Sequence, residues 1–165
     1  MPRVEIERRK AKLARRLSDR SDRFVTAESC TGGRIAAVFA GDAALGPRLE
    51  RGFVAYSTDA KCEQLGVERA LAERNEGVSA AVAVAMARGA LRHSMAEISI
   101  AATGFCGPQE KDEEVGLVFL ACADRGDGLW EQECHFGEVG REAVLEHSVA
   151  AALALMAEAV RARKA

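Results

Sequence analysis

Two potential nucleophiles, Ser29 and Cys30, follow an apolar run in the segment FVTAESCTGG, residues 24–33. The run is typical of a buried strand and the alanine-rich residues after it of a helix, so the pair lies on a strand-to-helix turn. The first N–H groups of a helix have no partner within it. Near residues 31–33 they could bind an anion or the oxyanion of an acyl-transfer intermediate. The same pattern also suits simple helix capping by Ser29 and Thr31.

A lysine lies at the equivalent place after the next predicted strand. RGFVAYS, residues 51–57, indicates a strand, and Lys61 falls in the first turn of the helix that follows. The helix macrodipole disfavours a cation there, and partial desolvation would lower the pKa of the amine, as a general base requires. Ser29 and Lys61 are therefore a candidate nucleophile and base, because serine needs an adjacent proton acceptor. Alternatively, Lys61 is exposed and pairs with Glu63 or Glu68.

Three neighbouring side chains have more than one interpretation. Tyr56 could orient the lysine amine, or it could be a half-buried aromatic at a strand end. Glu28 could accept hydrogen bonds from nearby backbone or orient Lys61. Cys30 competes with Ser29 as the nucleophile, because a helix N-terminus can stabilise a thiolate. If Ser29 faces the site, however, its neighbour should point elsewhere.

Helices alternate with buried strands along the chain. Strands are predicted at 23–28, 51–57 and 97–104 and in a hairpin at 114–123 and 129–136, and helices at 3–19, 32–42, 57–66, 79–93 and 140–163. This order predicts the α/β class and a single domain over 1–165, a three-layer α/β/α sandwich with a mixed, mainly parallel sheet. Ligands of such sheets bind beyond the carboxyl ends of the strands, where Ser29, Lys61 and the pair 103–104 fall.

Composition excludes several classes of function. The formal net charge of −2 argues against a general nucleic-acid surface. We find no apolar run of membrane-span length, and the charged N-terminus does not resemble a signal peptide. The five scattered cysteines fit neither a disulfide framework nor a zinc site. We therefore expect a cytoplasmic protein without a metal, and the alanine-rich helix at 79–93 predicts a close-packing face and a homo-oligomer.

A family resemblance covers nearly the whole chain, from about residue 8 to 160. TAESCTGG, RGFVAYSTDAK, LGV, EGVS and ATGFCGP, in this order, resemble the C-terminal domain of the competence/damage-inducible CinA proteins. Members of that family include stand-alone nicotinamide-nucleotide amidohydrolases, which convert nicotinamide mononucleotide to nicotinate mononucleotide and ammonia without a cofactor. The resemblance implies Ser29 as nucleophile, Lys61 as base and Tyr56 beside them. The residues expected to bind the nucleotide are Glu28, Cys30, Thr31, Gly32, Gly33, Thr103, Gly104 and Arg141.

Two segments depart from the family pattern. The glycine-rich run that usually follows T-G-x-x-G-P is replaced by the charged segment QEKDEEVG, residues 109–116. In GREAVL, residues 140–145, Gly140 and Leu145 stand where an aspartate and an arginine are usual. Both changes concern recognition of phosphate or ribose. They leave two alternatives to the amidase: a pyridine-nucleotide-binding paralogue without turnover, and an amidase for a different small amide.

Overall fold

The fold is one mixed β-sheet with helices on both faces, seen in a computed structural model that describes residues 2–163. The strands are β1 Phe24–Glu28, β2 Leu49–Val54, β3 Ile98–Gly104, β4 Leu117–Asp124 and β5 Leu129–His135. The helices are α1 Pro2–Leu17, α2 Arg34–Ala40, α3 Thr58–Leu65, α4 Arg69–Glu73, α5 Ala80–Arg92 and α6 Arg141–Ala162. Short 3-10 turns lie at Gly46–Arg48 and Arg74–Gly77.

The strand order is β2-β1-β3-β4-β5. β1 pairs in parallel with β2 and β3, whereas β3 with β4 and β4 with β5 are antiparallel. The predicted α/β class and mixed sheet are confirmed, but the prediction of a mainly parallel sheet is wrong. A parallel neighbour needs a crossover connection, usually a helix. The chain makes no helix between β3 and β4 or between β4 and β5, so it turns back on itself twice.

Side chains on the central strands alternate between two apolar cores. Phe24, Ile98 and Ile100 pack with α1, α2 and α6, whereas Val25 and Ala101 pack with α3, α4 and α5. Because helices cover both faces, these strands are apolar at nearly every position, which explains the continuous apolar runs in the sequence. The same alternation decides which core each residue at a strand end faces.

The last helix, α6, covers one face of the sheet together with α1. Arg9 of α1 donates a hydrogen bond of 2.6 Å to the carbonyl of Ala150, and Arg16 donates to that of Ala157. By length and composition alone α6 could cross a membrane, with a mean hydropathy of 1.5, a property that the sequence analysis missed. In the fold, 72% of its most apolar stretch is buried. Its composition therefore matches its place in the core.

The small residues of α5 are used within the chain. A Cβ at Gly89 would lie only 2.0 Å from the carbonyl oxygen of Leu65, so this glycine lets α5 pack closely against the end of α3. Close packing of α5 therefore has an intramolecular explanation. The homo-oligomer and the cytoplasmic location stay predictions.

The segment between α3 and α5 holds elements that the sequence analysis did not predict. α4 is only five residues long, and the 3-10 turn after it contains two left-handed residues, Asn75 and Glu76, with φ of 47° and 57°. Gly77 follows with φ of 73°. Non-glycine residues seldom adopt this conformation, because the Cβ crowds the carbonyl oxygen. The surrounding structure must therefore hold this turn in place.

Candidate active site

The turn between β1 and α2 places Ser29 at the carboxyl end of the sheet. Its N–H donates to the carbonyl of Ala102 at 2.9 Å, so the ladder with β3 continues one residue beyond β1. Val25 and Ala27 face the core of α3 and α5, and strand alternation directs Ser29 to the same side. Cys30 packs in the opposite core, with α2 and α6. The two candidate nucleophiles therefore point to different sides of the sheet.

Glu28 is fully buried and caps α2. Its two carboxylate oxygens accept hydrogen bonds from the N–H groups of Ile35 and Ala36, at 2.8 and 3.0 Å. A negative charge at this end of a helix is favourable, because the macrodipole is positive there. Of the two interpretations from the sequence, the structure supports backbone binding rather than orientation of Lys61. Glu28 therefore fixes the turn that carries Ser29.

The N–H groups that a ligand could bind lie in the turn itself, because Glu28 occupies those of the first helical turn. Within residues 2–163 the N–H groups of Cys30, Thr31 and Gly33 make no hydrogen bond, whereas that of Gly32 donates to the carbonyl of Ser29. Gly32 and Gly33 have φ of 57° and 96°, so a side chain there would be strained. The Thr31 hydroxyl is enclosed and has no partner. The predicted donors are present, but before the helix rather than in it.

Lys61 lies in the first turn of α3, and its side chain is only 2% exposed. The helix begins at a Ser57 cap, as predicted, with the serine hydroxyl accepting the N–H of Ala60 at 3.0 Å. The amine has neither a hydrogen bond nor an ion pair within the part of the chain that the structure describes. Pairing with Glu63 or Glu68 is therefore wrong. Burial lowers the pKa of the Lys61 amine below its ordinary value.

Ser29 and Lys61 approach the same edge from neighbouring elements. Lys61 and Cys30 each affect the pKa of the other, so the amine lies near the residue that follows Ser29. In the described range 2–163 no hydrogen bond joins the Ser29 hydroxyl to the Lys61 amine. Neither atom is among the enclosed, unpartnered polar atoms, which are the hydroxyls of Thr26 and Thr31. The structure thus brings the predicted pair into one region, with both groups open to it.

The Arg74–Gly77 turn covers the lysine. A Cβ at Gly77 would lie 3.1 Å from Lys61 Nζ, so the glycine backbone packs directly beside the amine. Thr103, at the end of β3, is fully buried and donates its hydroxyl to the Gly77 carbonyl at 2.8 Å. Gly77 is not among the site residues predicted from the sequence, although an Asn-Glu-Gly run is a turn signal. Thr103 was predicted to bind substrate, but its hydroxyl donates to the turn instead.

Tyr56 and Arg141 form the exposed rim of the site. Tyr56 is 57% exposed, and its hydroxyl accepts a hydrogen bond of 2.9 Å from Arg141 Nη2. Arg141 Nη1 donates to the carbonyl of Gly107 at 2.6 Å. Tyr56 therefore contacts the arginine rather than the lysine amine. The structure brings Arg141 to the predicted edge from the first position of α6.

A cavity of about 360 Å³ opens beside this rim. Its lining residues are Cys106, Gly107, Pro108, Gln109, Val115, Glu138, Gly140 and Arg141. Ser29 and Lys61 do not line it. Cys106 connects the two regions, because its thiol contacts that of Cys30. A small-molecule site of this volume could hold the part of a ligand that lies away from the reacting group.

Two further predicted residues have structural roles. Cys106 and burial raise the pKa of the Cys30 thiol well above its ordinary value, so this cysteine is a poor source of thiolate. At Gly104 a Cβ would lie 2.6 Å from the carbonyl oxygen of Leu117, so β4 leaves no room for a side chain. Within residues 2–163, no group of three or more His, Cys, Asp or Glu side chains is arranged to hold a metal ion.

The charged segment after Pro108 folds on itself as an exposed turn. The Glu113 carboxylate accepts the N–H groups of Glu110 and Lys111, at 2.7 and 2.8 Å. The Lys111 amine pairs with Glu76 of the turn over the lysine. This segment therefore lies between the cavity and the Arg74–Gly77 turn.

Comparison with known proteins agrees with these observations. A family model described as the CinA C-terminal domain matches residues 6–160. The chain belongs to this family. It is 38% identical over 152 residues to a nicotinamide-nucleotide amidohydrolase, PncC, of Escherichia coli K12, covering 90% of this chain and 91% of that protein. It is 34% identical to a CinA-like protein of Syntrophobacter fumaroxidans, covering 87% of this chain but 34% of that longer protein.

Solved structures of CinA proteins share the fold. The competence/damage inducible protein CihA of Agrobacterium tumefaciens has a TM-score of 0.89 at 34% identity, covering 94% of this chain and 95% of that one. A CinA superfamily protein of Escherichia coli has a TM-score of 0.83 at 36% identity, covering 92% and 88%. The resemblance seen in the motifs is therefore confirmed for the family, and the PncC relative is named as a hydrolase of an amide.

Proposed function

We propose that this CinA-family protein is an amidase that converts nicotinamide mononucleotide to nicotinate mononucleotide and ammonia. The observation that carries the proposal is the buried side chain of Lys61, whose amine has no ion pair among residues 2–163 and lies at the sheet edge that also presents Ser29. A buried lysine with a lowered pKa is costly to the fold, and such groups cluster at functional sites. The name of the Escherichia coli relative supports the choice of substrate.

The proposed reaction uses Ser29 as the nucleophile and Lys61 in every proton transfer. The neutral Lys61 amine takes the proton of the Ser29 hydroxyl as the oxygen attacks the amide carbonyl. Free N–H groups of the turn at 30–33 stabilise the oxyanion of the tetrahedral intermediate. The Lys61 ammonium then protonates the departing nitrogen, which leaves as ammonia. Water, activated by the same amine, hydrolyses the acyl-serine and restores the hydroxyl.

Arg141 is the proposed contact for the nucleotide's phosphate. It is a cation at the rim of the site, next to a cavity large enough for part of a nucleotide. Its guanidinium has five N–H donors, and bonds to Gly107 and Tyr56 hold the group in one orientation. A fixed guanidinium suits bidentate recognition of a phosphate.

Ammonia release from nicotinamide mononucleotide tests the proposal. We expect release by the purified protein, and a loss of at least about 10³-fold in Ser29→Ala and in Lys61→Met. Ser99→Ala is the matched control, because Ser99 is also a buried serine of the sheet but lies at the opposite end of β3. No release by the wild type, or equal release by Ser29→Ala, would refute the proposed mechanism.

One observation favours a second candidate, an amidase for an unphosphorylated amide. Leu145, which stands where the family often has an arginine, is buried in the core and cannot contact a phosphate. Glu138, an acidic residue that lines the cavity, would also repel one. Turnover of nicotinamide riboside at a higher kcat/KM than the mononucleotide would support this candidate. Calorimetric binding of the mononucleotide without turnover of either compound would instead indicate a binding paralogue.

A further inference from the structure

The turn over Lys61 is built in a conformation that its own sequence does not favour. Asn75, Glu76 and Gly77 are three consecutive left-handed residues, and only one of them is glycine. The Asn75 side chain donates to the carbonyl of Val78 at 2.8 Å, which closes the turn locally. That local bond does not explain why the turn packs onto the lysine. The contact that does lies across the fold, in β3.

Thr103 supplies that contact. Its hydroxyl donates to the Gly77 carbonyl across 26 positions of sequence, and the threonine is fully buried. The bond holds Gly77 where its Cα faces Lys61 Nζ, so closely that a Cβ would be 3.1 Å from the nitrogen. Thr103 itself touches neither the amine nor Ser29 by a hydrogen bond in the range 2–163. Its effect on the site must therefore pass through Gly77.

The other titratable groups around the Lys61 amine do not explain its lowered pKa. From the elements packed around Lys61, the titratable groups that act on it are the thiols of Cys30, after β1, and Cys62, beside it on α3. Both raise the pKa of the amine, and burial opposes them with the larger effect. The nearest carboxylate of the covering turn, Glu76, is paired with Lys111. Exclusion of water is thus what distinguishes this lysine.

We propose that Thr103 and Gly77 are positioning residues of the amidase: the Thr103 hydroxyl holds the 75–77 turn against Lys61, and the turn shields the amine from most of the surrounding water. This inference rests on the proposed function of Lys61 as the base. Without the hydroxyl, the Gly77 carbonyl loses its partner and turns to another donor, water or the lysine ammonium. Either change favours the charged form of the lysine, which cannot accept a proton from serine.

Thr103→Val is the informative variant, because it removes the hydroxyl and keeps the shape of the side chain. We expect the acid limb of its pH profile of kcat/KM to move upward by at least about half a pH unit, a roughly threefold change in the proton dissociation constant. Thr103→Ser should restore the wild-type limb, because it keeps the donor. Thr26→Val is the matched control: Thr26 is a buried threonine of β1 whose hydroxyl has no partner, so the limb should not move.

A titration independent of turnover separates this inference from the proposed function. The chain has few lysines, Lys10, Lys12, Lys61, Lys111 and Lys164, so ¹³Cε signals can be resolved and the Lys61 signal identified by its loss in Lys61→Met. We expect that signal to titrate at higher pH in Thr103→Val than in the wild type. If the wild type releases no ammonia but the Lys61 signal still titrates at higher pH in Thr103→Val, the proposed function is refuted. The role of Thr103 in positioning the turn over Lys61 would then stand.

Gly77→Ala provides a second variant if Thr103→Val does not fold. Its Cβ would press on both Lys61 Nζ and the Ala72 carbonyl, each at 3.1 Å, in a left-handed conformation that alanine disfavours. The turn must then move from the amine, and the Lys61 titration should rise as in Thr103→Val. An unchanged Lys61 titration in both folded variants, or in Gly77→Ala alone, would overturn the inference. A loss of kcat without a shift of the acid limb would also overturn it.

Discussion

Replacing Lys61 by methionine should stabilise the protein while abolishing the proposed activity. The amine is buried, with 2% of the residue exposed, and it has no hydrogen-bond or ion-pair partner in residues 2–163. A buried polar group without a partner costs about 1–3 kcal/mol of folding free energy. Methionine has a similar length and shape and no such cost. We therefore expect the free energy of unfolding at pH 7 to rise by about 1–2 kcal/mol.

The gain should depend on pH in a direction that identifies its cause. Burial places the pKa of folded Lys61 below its value in the unfolded chain, about 10.4. Between these two pKa values the unfolded state binds more protons, so the stability of the wild type rises with pH. Below the folded pKa the whole penalty is present. The advantage of Lys61→Met should therefore be largest below the folded pKa, shrink as pH rises through this window, and be smallest above about pH 10.4.

Thermal unfolding of both proteins between pH 6 and 10.5 measures this difference. A gain of 1–2 kcal/mol corresponds to a rise in Tm of about 2–8 °C for a domain of this size. Lys12→Met is the control, because Lys12 is exposed on α1 and should give no pH-dependent gain. A destabilised Lys61→Met protein, or a gain that stays constant from pH 7 to 10.5, would show that desolvation of the amine is not the cause.

Two further predictions concern the turn and the rim. Glu28→Gln should lower the free energy of unfolding by about 2 kcal/mol, because one charge-assisted bond to α2 is replaced by an amide donor facing an N–H group; urea unfolding measures it. Glu142→Gln is the control, because it alters only an exposed ion pair with Arg34. A loss of less than about 0.5 kcal/mol of unfolding free energy in Glu28→Gln would contradict the capping role. Tyr56→Phe should raise KM for the mononucleotide several-fold with little change in kcat, because it frees Arg141 from one of its two anchors. Steady-state kinetics of Tyr56→Phe tests this prediction. A fall in kcat without a change in KM would indicate that Tyr56 takes part in the reaction itself.

The sequence predicts the position of the main site because of a general property of parallel strands. Ser29 and Lys61 each follow a strand by a few residues, and β1 and β2 run in parallel, so their carboxyl ends meet at one edge. The strand-to-helix pattern was sufficient to predict this without any contact being known. The unfavourable position of a lysine at a helix start favoured its burial, although the sequence left surface pairing with Glu63 or Glu68 open.

The parts that the sequence did not predict depend on contacts between distant segments. Arg141 reaches Tyr56 across 85 positions, and no periodicity encodes such a bond. The turn at 74–77 is too short for a periodic pattern, and the side chain that bonds to its Gly77 carbonyl, Thr103, lies 26 positions further along the chain. The antiparallel half of the sheet was underestimated because strand direction follows from the connections and not from the apolar runs.

The pairing of α1 with α6 sets the order in which the chain can mature during translation. The bond from Arg9 to the Ala150 carbonyl spans 141 positions, so it joins the first helix of the described fold to the last. Until α6 emerges, the face of β1 and β3 that it covers in the fold is packed only by α1 and α2, so part of its apolar surface stays open. The nascent chain must therefore carry an open apolar surface until α6 has been made.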